Sequence, residues 1–201
     1  MTEPTPNLAR LRQAIQAMTR LAEQEAGMER WFSEGKAILA DLIAHDDWLP
    51  AAFAAPGPTY RQYLLHCDPL ERFSVVSFVW GPGQRTPVHN HLVWGLVGML
   101  RGEEVSTTMH RDGPGRPLRP GQVDRLRPGE VIAVAPGLED MHMVENALPD
   151  AASISIHVYG GNIGAIRRHV FDPATGEARP FVSGYSLPIM PNLWDRSLEL
   201  A

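Results

Sequence analysis

The sequence predicts a mainly β fold: one barrel of short antiparallel strands with a short helical cap at its N-terminus. Three observations predict it. Apolar residues recur at helical spacing only near the start of the chain. From residue 60 onward, short runs rich in β-branched and aromatic residues take over. Pro-Gly and Asp-Gly turns then separate those runs at fairly even intervals. The chain has 201 residues, enough for one well-buried core and too few for two full-sized domains.

In the cap, Leu8, Leu11, Ile15 and Met18 share one helical face, and after Gly27 a second set follows in Ile38, Leu39, Leu42 and Ile43. This spacing predicts two or three short helices over 1–47. Residues 48–58 are rich in Ala, Pro and Gly and are expected to form a linker. The barrel is expected over 60–182, with strands at 73–80, 93–101, 103–109, 122–126, 130–135, 142–146 and 153–159. Turn signals between them include Gly81-Pro82-Gly83, Asp112-Gly113-Pro114-Gly115, Pro120-Gly121, Pro128-Gly129 and Pro136-Gly137. A C-terminal extension over 183–201 is expected to wrap over the barrel without chemistry of its own.

Composition narrows the chemistry. The net charge of -5 argues against nucleic acid, whose phosphates require clustered Lys and Arg. No stretch approaches the ~18 apolar residues of a membrane span, and the start of the chain has no basic-then-apolar leader pattern, so a cytoplasmic protein is expected. Cys67 is the one cysteine, which removes intramolecular disulfides and Cys-based metal clusters and leaves His, Asp and Glu as ligands. No phosphate-binding glycine loop and no Gly-x-Ser-x-Gly elbow is present.

Among the eight histidines, His89 and His91 stand out, because residues i and i+2 of a strand face the same side and can aim two imidazoles into one interior. His45, His66, His110 and His169 lack such a pairing. The segment Gly83-x5-His89-x-His91-x3-Gly95-x6-Gly102 resembles the first cupin motif. His142-x3-Asn146, with Pro136-Gly137 before it, resembles the second, with longer internal spacings than usual. The resemblance implies a cupin barrel, that is a double-stranded β-helix or jelly-roll, with a metal on His89, His91 and His142. Many cupins add a ligating Glu after the first pair, where this chain has Gly95. Three imidazoles leave coordination positions open, as catalysis requires, and zinc as well as iron accepts such a set.

Further residues resemble the thiol dioxygenases of the cysteine dioxygenase family: His89-Asn90-His91, Val93-Trp94-Gly95-Leu96, Leu100-Arg101-Gly102, Ser155-Ile156-His157-Val158-Tyr159-Gly160 and Asn162-Ile163-Gly164. The resemblance implies one Fe(II) per chain and conversion of a thiol and O2 to a sulfinic acid. It also implies an outer chain in which Tyr159 lies nearest the substrate, His157 orients it and Ser155 holds His157. Alternation along 153–159 sends those three residues one way and Ile154, Ile156 and Val158 the other. The cysteine that animal-type relatives crosslink to the tyrosine corresponds to Gly95, so no Cys–Tyr cofactor is expected.

Substrate choice follows the carboxylate contact. Where cysteine dioxygenases carry an arginine, this chain has Gln62, as in the bacterial glutamine-type branch of 3-mercaptopropionate dioxygenases. In that branch an arginine after Asn-Ile-Gly takes the carboxylate. This points to Arg168, with Arg167 as the neighbour of opposite facing. Cysteine dioxygenase proper and a metal-binding cupin without catalysis are the alternatives.

Overall fold

The computed structural model describes residues 5–113, 115–136 and 140–194. The extreme ends, Gly137 of the second motif and the terminal part of the 183–201 extension lie outside them. Helix α1 (Leu8–Glu23) is followed by a second helical stretch. This runs from α2 (Met28–Arg30) through a π turn (Trp31–Gly35) into α3 (Lys36–Ile43). Eleven strands then follow among the described residues: β1 (Arg61–Cys67), β2 (Ser74–Trp80), β3 (Val88–His89), β4 (Gly95–Arg101), β5 (Glu104–Arg111), β6 (Leu118–Leu126), β7 (Val131–Val134), β8 (His142–Asn146), β9 (Ser153–Tyr159), β10 (Arg168–Phe171) and β11 (Ala178–Phe181).

Two antiparallel sheets result, ordered β1-β2-β9-β4-β7 and β11-β10-β3-β8-β5-β6. Their pairing is nested. β2 pairs with β9, β3 with β8, β4 with β7 and β5 with β6, and successive pairs fall alternately in the first and second sheet. A long hairpin folded back across a two-sheet barrel has this pattern, and it defines a jelly-roll.

The helical cap explains why the central strands lack alternation. α1 and α3 cover the outer face of the first sheet, where Leu11, Ile15, Met18, Leu39 and Leu42 pack with Val75, Val79, Ile154, Ile156 and Val158. β2 and β9 are therefore buried on both faces along their whole length. At Gly98 an added Cβ would lie 3.0 Å from both Leu39 and Ile43, so α3 approaches β4 as closely as a bare backbone allows. The even-numbered β9 residues fill the cap interface, and the odd-numbered ones are left for the barrel interior.

Several expectations need correction. Residues 48–58 are not a loose linker: Trp48 is fully buried and donates its indole N–H to Leu42 O at 3.0 Å, and Phe53 is also in the core. Pro120-Gly121 is not a turn. It lies inside β6, an edge strand with a register shift opposite it, where a missing N–H leaves no broken ladder within the sheet. Strands β1, β3, β10 and β11 add to the runs the sequence predicts, β3 being only two residues long. β1 is an edge strand of irregular burial, and β10 and β11 are four residues each, too short to establish a period.

Candidate metal centre

The nested pairing sets His89 of β3 directly opposite His142, the first residue of β8. His91 follows two residues after His89, just beyond the strand. The three rings gather at centroid separations of 5.0, 4.8 and 4.8 Å, and their ligand atoms lie within 4.8 Å of one another. Each ring has its Nδ1 occupied. His89 Nδ1–H donates to Pro87 O at 3.0 Å, His91 Nδ1–H to Asp140 Oδ1 at 2.8 Å, and His142 Nδ1 lies 3.1 Å from Ser106 Oγ. The Nε2 lone pairs thus remain to face one another, as metal ligation requires. Burial holds His89 well below the usual imidazole range and lowers His142 to about 3, so both are neutral and able to ligate. Among the described residues no carboxylate joins the set.

Asp140, which no sequence motif singles out, does more than orient one ring. Its Oδ2 accepts the backbone N–H of His91 at 2.6 Å and of Leu92 at 3.1 Å. Leu92 has φ of 62°, a conformation a branched side chain adopts at some cost, and the carboxylate holds it there. Asp140→Asn, close in shape but uncharged, is expected to weaken metal binding by roughly 10–100-fold, as losses of such outer partners do. Competition against a chelator measures this directly.

The triad lines a small interior cavity of about 30 Å³. Ser155, His157 and Tyr159 line up along β9 into this interior. Ser155 Oγ lies 2.8 Å from His157 Nε2, and His157 Nδ1 lies 2.8 Å from Tyr159 Oη. The Tyr159 ring stands 5.4 Å from that of His91. Burial keeps His157 neutral and pushes the Tyr159 phenol up, so its proton stays on. Gly95 pairs directly with Tyr159, and an added Cβ there would meet the phenol ring at 3.1 Å. Cys67 is two strands away from Tyr159 in the same sheet.

Arg168 and Gln62 come together at a second, adjoining cavity that also touches His89. Arg168 is 3% exposed, whereas Arg167 faces solvent, as alternation on a strand requires. The guanidinium donates from Nη2 to Ser183 Oγ at 2.9 Å and lies 4.7 Å over the Phe181 ring, while its Nε has no partner. Gln62 donates from Nε2 to the same Ser183 Oγ at 3.2 Å and to Gly184 O at 3.0 Å. The C-terminal extension is therefore more than a wrapper, since Ser183 fixes both residues. Asn90, between the paired histidines, accepts the His169 N–H at 2.9 Å and so ties β10, with Arg168, to the metal strand. Asn146 turns the chain after β8 through bonds to Trp80 O and Ala151 O and lies away from the triad's own contacts.

One more buried acid lines the main cavity. Glu104, 2% exposed at the start of β5, accepts from Ser153 Oγ at 3.2 Å, and burial pushes its carboxyl up to about 8. An unfolded glutamate titrates near 4.5, so between these values the native state holds a proton that the unfolded chain has released. Stability must then fall as pH rises from about 5 to 8, by a few kcal/mol at the order-of-magnitude level. Glu104→Gln, which cannot ionise, is expected to flatten that slope in denaturant melts across the range.

No protein-family model matches the chain. Among solved structures it is similar to a conserved protein with a double-stranded β-helix domain from Klebsiella pneumoniae subsp. pneumoniae MGH 78578, at 18% identity and a TM-score of 0.44, over 66% of this chain and 87% of that one. It is also similar to a cupin 2 domain-containing protein from Halorhodospira halophila, at 16% identity and a TM-score of 0.40, over 61% and 69% of the two chains. A third likeness is to an oxalate oxidase solved with the substrate analogue glycolate, at 16% identity and a TM-score of 0.43, over 59% and 60%. No described helix is long and apolar enough to cross a membrane. By its nested strand pairing the chain is a double-stranded β-helix barrel, and its interior gathers three histidines that could hold a metal ion.

Proposed function

We propose that the protein is a thiol dioxygenase that holds one Fe(II) on His89, His91 and His142 and converts 3-mercaptopropionate to 3-sulfinopropionate. The observation that carries this reading is Arg168. A buried guanidinium costs several kcal/mol unless an anion pairs with it, and among the described residues no carboxylate reaches it. An arginine left in that state beside a three-histidine cluster suits a ligand with a carboxylate at one end and a metal-binding group at the other.

The donor set and the cavity lining favour a particular ligand. Iron bound by three neutral imidazoles would supply activation of O2 and deprotonation of a coordinated thiol. Neutral ligands leave the ion's charge uncompensated, which favours an anionic thiolate. Among the described residues no aspartate or glutamate lines the cavity around Arg168 and Gln62, so none of them there balances the ammonium of L-cysteine. A thiol acid without an amine fits that lining better. Arg168 binds and orients the carboxylate, Ser183 and Phe181 hold the guanidinium, and the Tyr159 hydroxyl, held by His157, donates a hydrogen bond at the reacting end. The reaction adds O2 to the thiol: the O–O and S–H bonds break, two S–O bonds form, and sulfur is oxidised by four electrons to the sulfinic acid.

The test is oxygen uptake by Fe(II)-loaded protein given 3-mercaptopropionate, L-cysteine or cysteamine, with the product identified by mass. Uptake with 3-mercaptopropionate that exceeds the other two, with one sulfinate formed per O2, is the expected result. Preference for L-cysteine would move the assignment to cysteine dioxygenase. No uptake with any thiol would leave a metal-binding cupin without this chemistry.

A further inference from the structure

We infer that Gln62 is a positioning residue that does not touch the substrate. With the Asn162-Ile163-Gly164 loop it docks residues 183–186 of the C-terminal extension, and that docked segment, through Ser183, aims Arg168 at the substrate carboxylate. The inference rests on the reading of Arg168 as the carboxylate contact.

The Gln62 amide has two protons, and both are spent. Nε2 donates to Ser183 Oγ at 3.2 Å and to Gly184 O at 3.0 Å. A carbonyl can only accept, so the amide nitrogen and not the oxygen must meet Gly184 O. What remains is Oε1, an acceptor, which has no proton to give a carboxylate. Ser183 is filled in the same way. Its oxygen accepts from Gln62 and, at 2.9 Å, from Arg168 Nη2, which uses both lone pairs, and its own proton is left for the solvent to which Ser183 is exposed.

Residues 183–186 are held from two sides. On β1, Gln62 N–H donates to Ser186 Oγ at 2.9 Å, and Gln62 O accepts the Ser186 N–H at 2.8 Å. On the loop after β9, Gly164 O accepts the Gly184 N–H at 3.0 Å, while Tyr185 Oη donates to Asn162 Oδ1 at 2.6 Å and accepts the Gly164 N–H at 3.1 Å. Two glycines permit this fit. A side chain at Gly164 would overlap the Tyr185 ring, and Gly184 has φ of 61°, left-handed backbone that a side chain would strain. Farther along, Leu187 packs on the cap core, and Leu193 is buried with its carbonyl accepting from Arg12 Nη1 at 2.8 Å. The Asn162-Ile163-Gly164 run thus has a task that the metal cluster does not explain.

Ser183 is the one hydrogen-bond partner of the Arg168 guanidinium among the described residues, beside the Phe181 ring contact. Without it the long side chain regains rotamers, and a carboxylate must order it again on binding. Loss of the segment's hold should therefore appear in affinity, and only for a thiol that carries a carboxylate.

Full-length protein loaded with Zn(II) and titrated calorimetrically with 3-mercaptopropionate or cysteamine reads this without turnover. Ser183→Ala should weaken 3-mercaptopropionate by about 10-fold, the worth of one hydrogen bond to a charged group, and cysteamine by less than about 2-fold. Ser183→Thr, which keeps the hydroxyl, should restore the affinity. Gln62→Leu should match Ser183→Ala, and the double variant should be no weaker than either single one, since both act along one path. The Ser183 pair, changed at an exposed side chain, carries the test by itself where Gln62→Leu folds too poorly to load. In the iron-loaded protein KM for 3-mercaptopropionate should rise far more than kcat falls. Losses that multiply in the double variant would place Gln62 on the ligand itself, and a Ser183→Ala protein that binds as wild type would free Arg168 from the segment. Either result overturns the inference, as does a wild type that binds both thiols equally. The expected binding pattern in a protein with no thiol-dependent oxygen uptake would keep the positioning and discard the dioxygenase.

Discussion

Alanine at His89, His91 or His142 is expected to leave purified protein with less than about a tenth of the wild-type iron per chain and no thiol-dependent oxygen uptake above background. Three ligands are already few for a site that must keep positions open, and loss of an outer partner alone costs roughly 10–100-fold in affinity, so loss of a ligand must cost more. The three replacements are not equal in their effect on the fold. His89 also satisfies the Pro87 carbonyl and His91 the buried Asp140 carboxylate, whereas His142 is bound only to a serine hydroxyl. His142→Ala should therefore melt nearest to wild type while losing metal as completely as the others. Tyr159→Phe gives the contrast. The phenyl ring keeps the packing against His91 and drops only the hydroxyl, so iron content should be unchanged while kcat falls by about 10–100-fold, the worth of one hydrogen bond to a charged group. Iron analysis alongside oxygen-electrode rates separates the two classes. Loss of iron in the Tyr159 variant would mean that its hydroxyl supports the metal site and does not act on the substrate.

The residues that could be picked out from sequence are those whose position follows from a short-range rule. His89 and His91 are spaced as a strand's period of two would require, although β3 ends at His89 and His91 lies just beyond it, and along β9 that period turns Ser155, His157 and Tyr159 inward while Ile154, Ile156 and Val158 meet the cap. The sequence left Arg167 and Arg168 as neighbours of opposite facing, and the fold buries Arg168 at the start of β10 and exposes Arg167 just before it. Asp140, Ser106 and Glu104 escaped notice for a different reason. Each acts through a partner 36 or more residues away along the chain, across a strand pairing that no local pattern encodes. Asp140 did leave one signal, since it stands two residues before His142. Ser183 left none: one of three serines in the 183–201 tail gives no hint that it spans Gln62 and Arg168. The misplaced turn at Pro120-Gly121 has its own lesson, because the proline rule for strands is relaxed at a sheet edge and β6 is one.

Arg168→Met should raise the melting temperature of ligand-free protein while lowering kcat/KM for 3-mercaptopropionate by about 10–100-fold. The two effects have one cause. The guanidinium is buried with one hydrogen bond, a ring contact and an unpartnered Nε, and burial itself pulls its pKa down. Its removal in favour of an apolar chain of similar length relieves desolvation at the loss of a cation–π contact worth about 0.5–2 kcal/mol. With substrate bound, the same guanidinium forms charge-assisted bonds to a carboxylate, worth about 1.5–3 kcal/mol each, and methionine supplies none. A thiol without a carboxylate never makes that contact, so cysteamine turnover, however slow, should be unaffected by the change. Melting curves with and without 3-mercaptopropionate complete the test, since the ligand should stabilise the wild type and not the variant. A variant that melts lower and loses activity equally on both thiols would mean that Arg168 holds the fold, and that the carboxylate of the substrate is bound by something else.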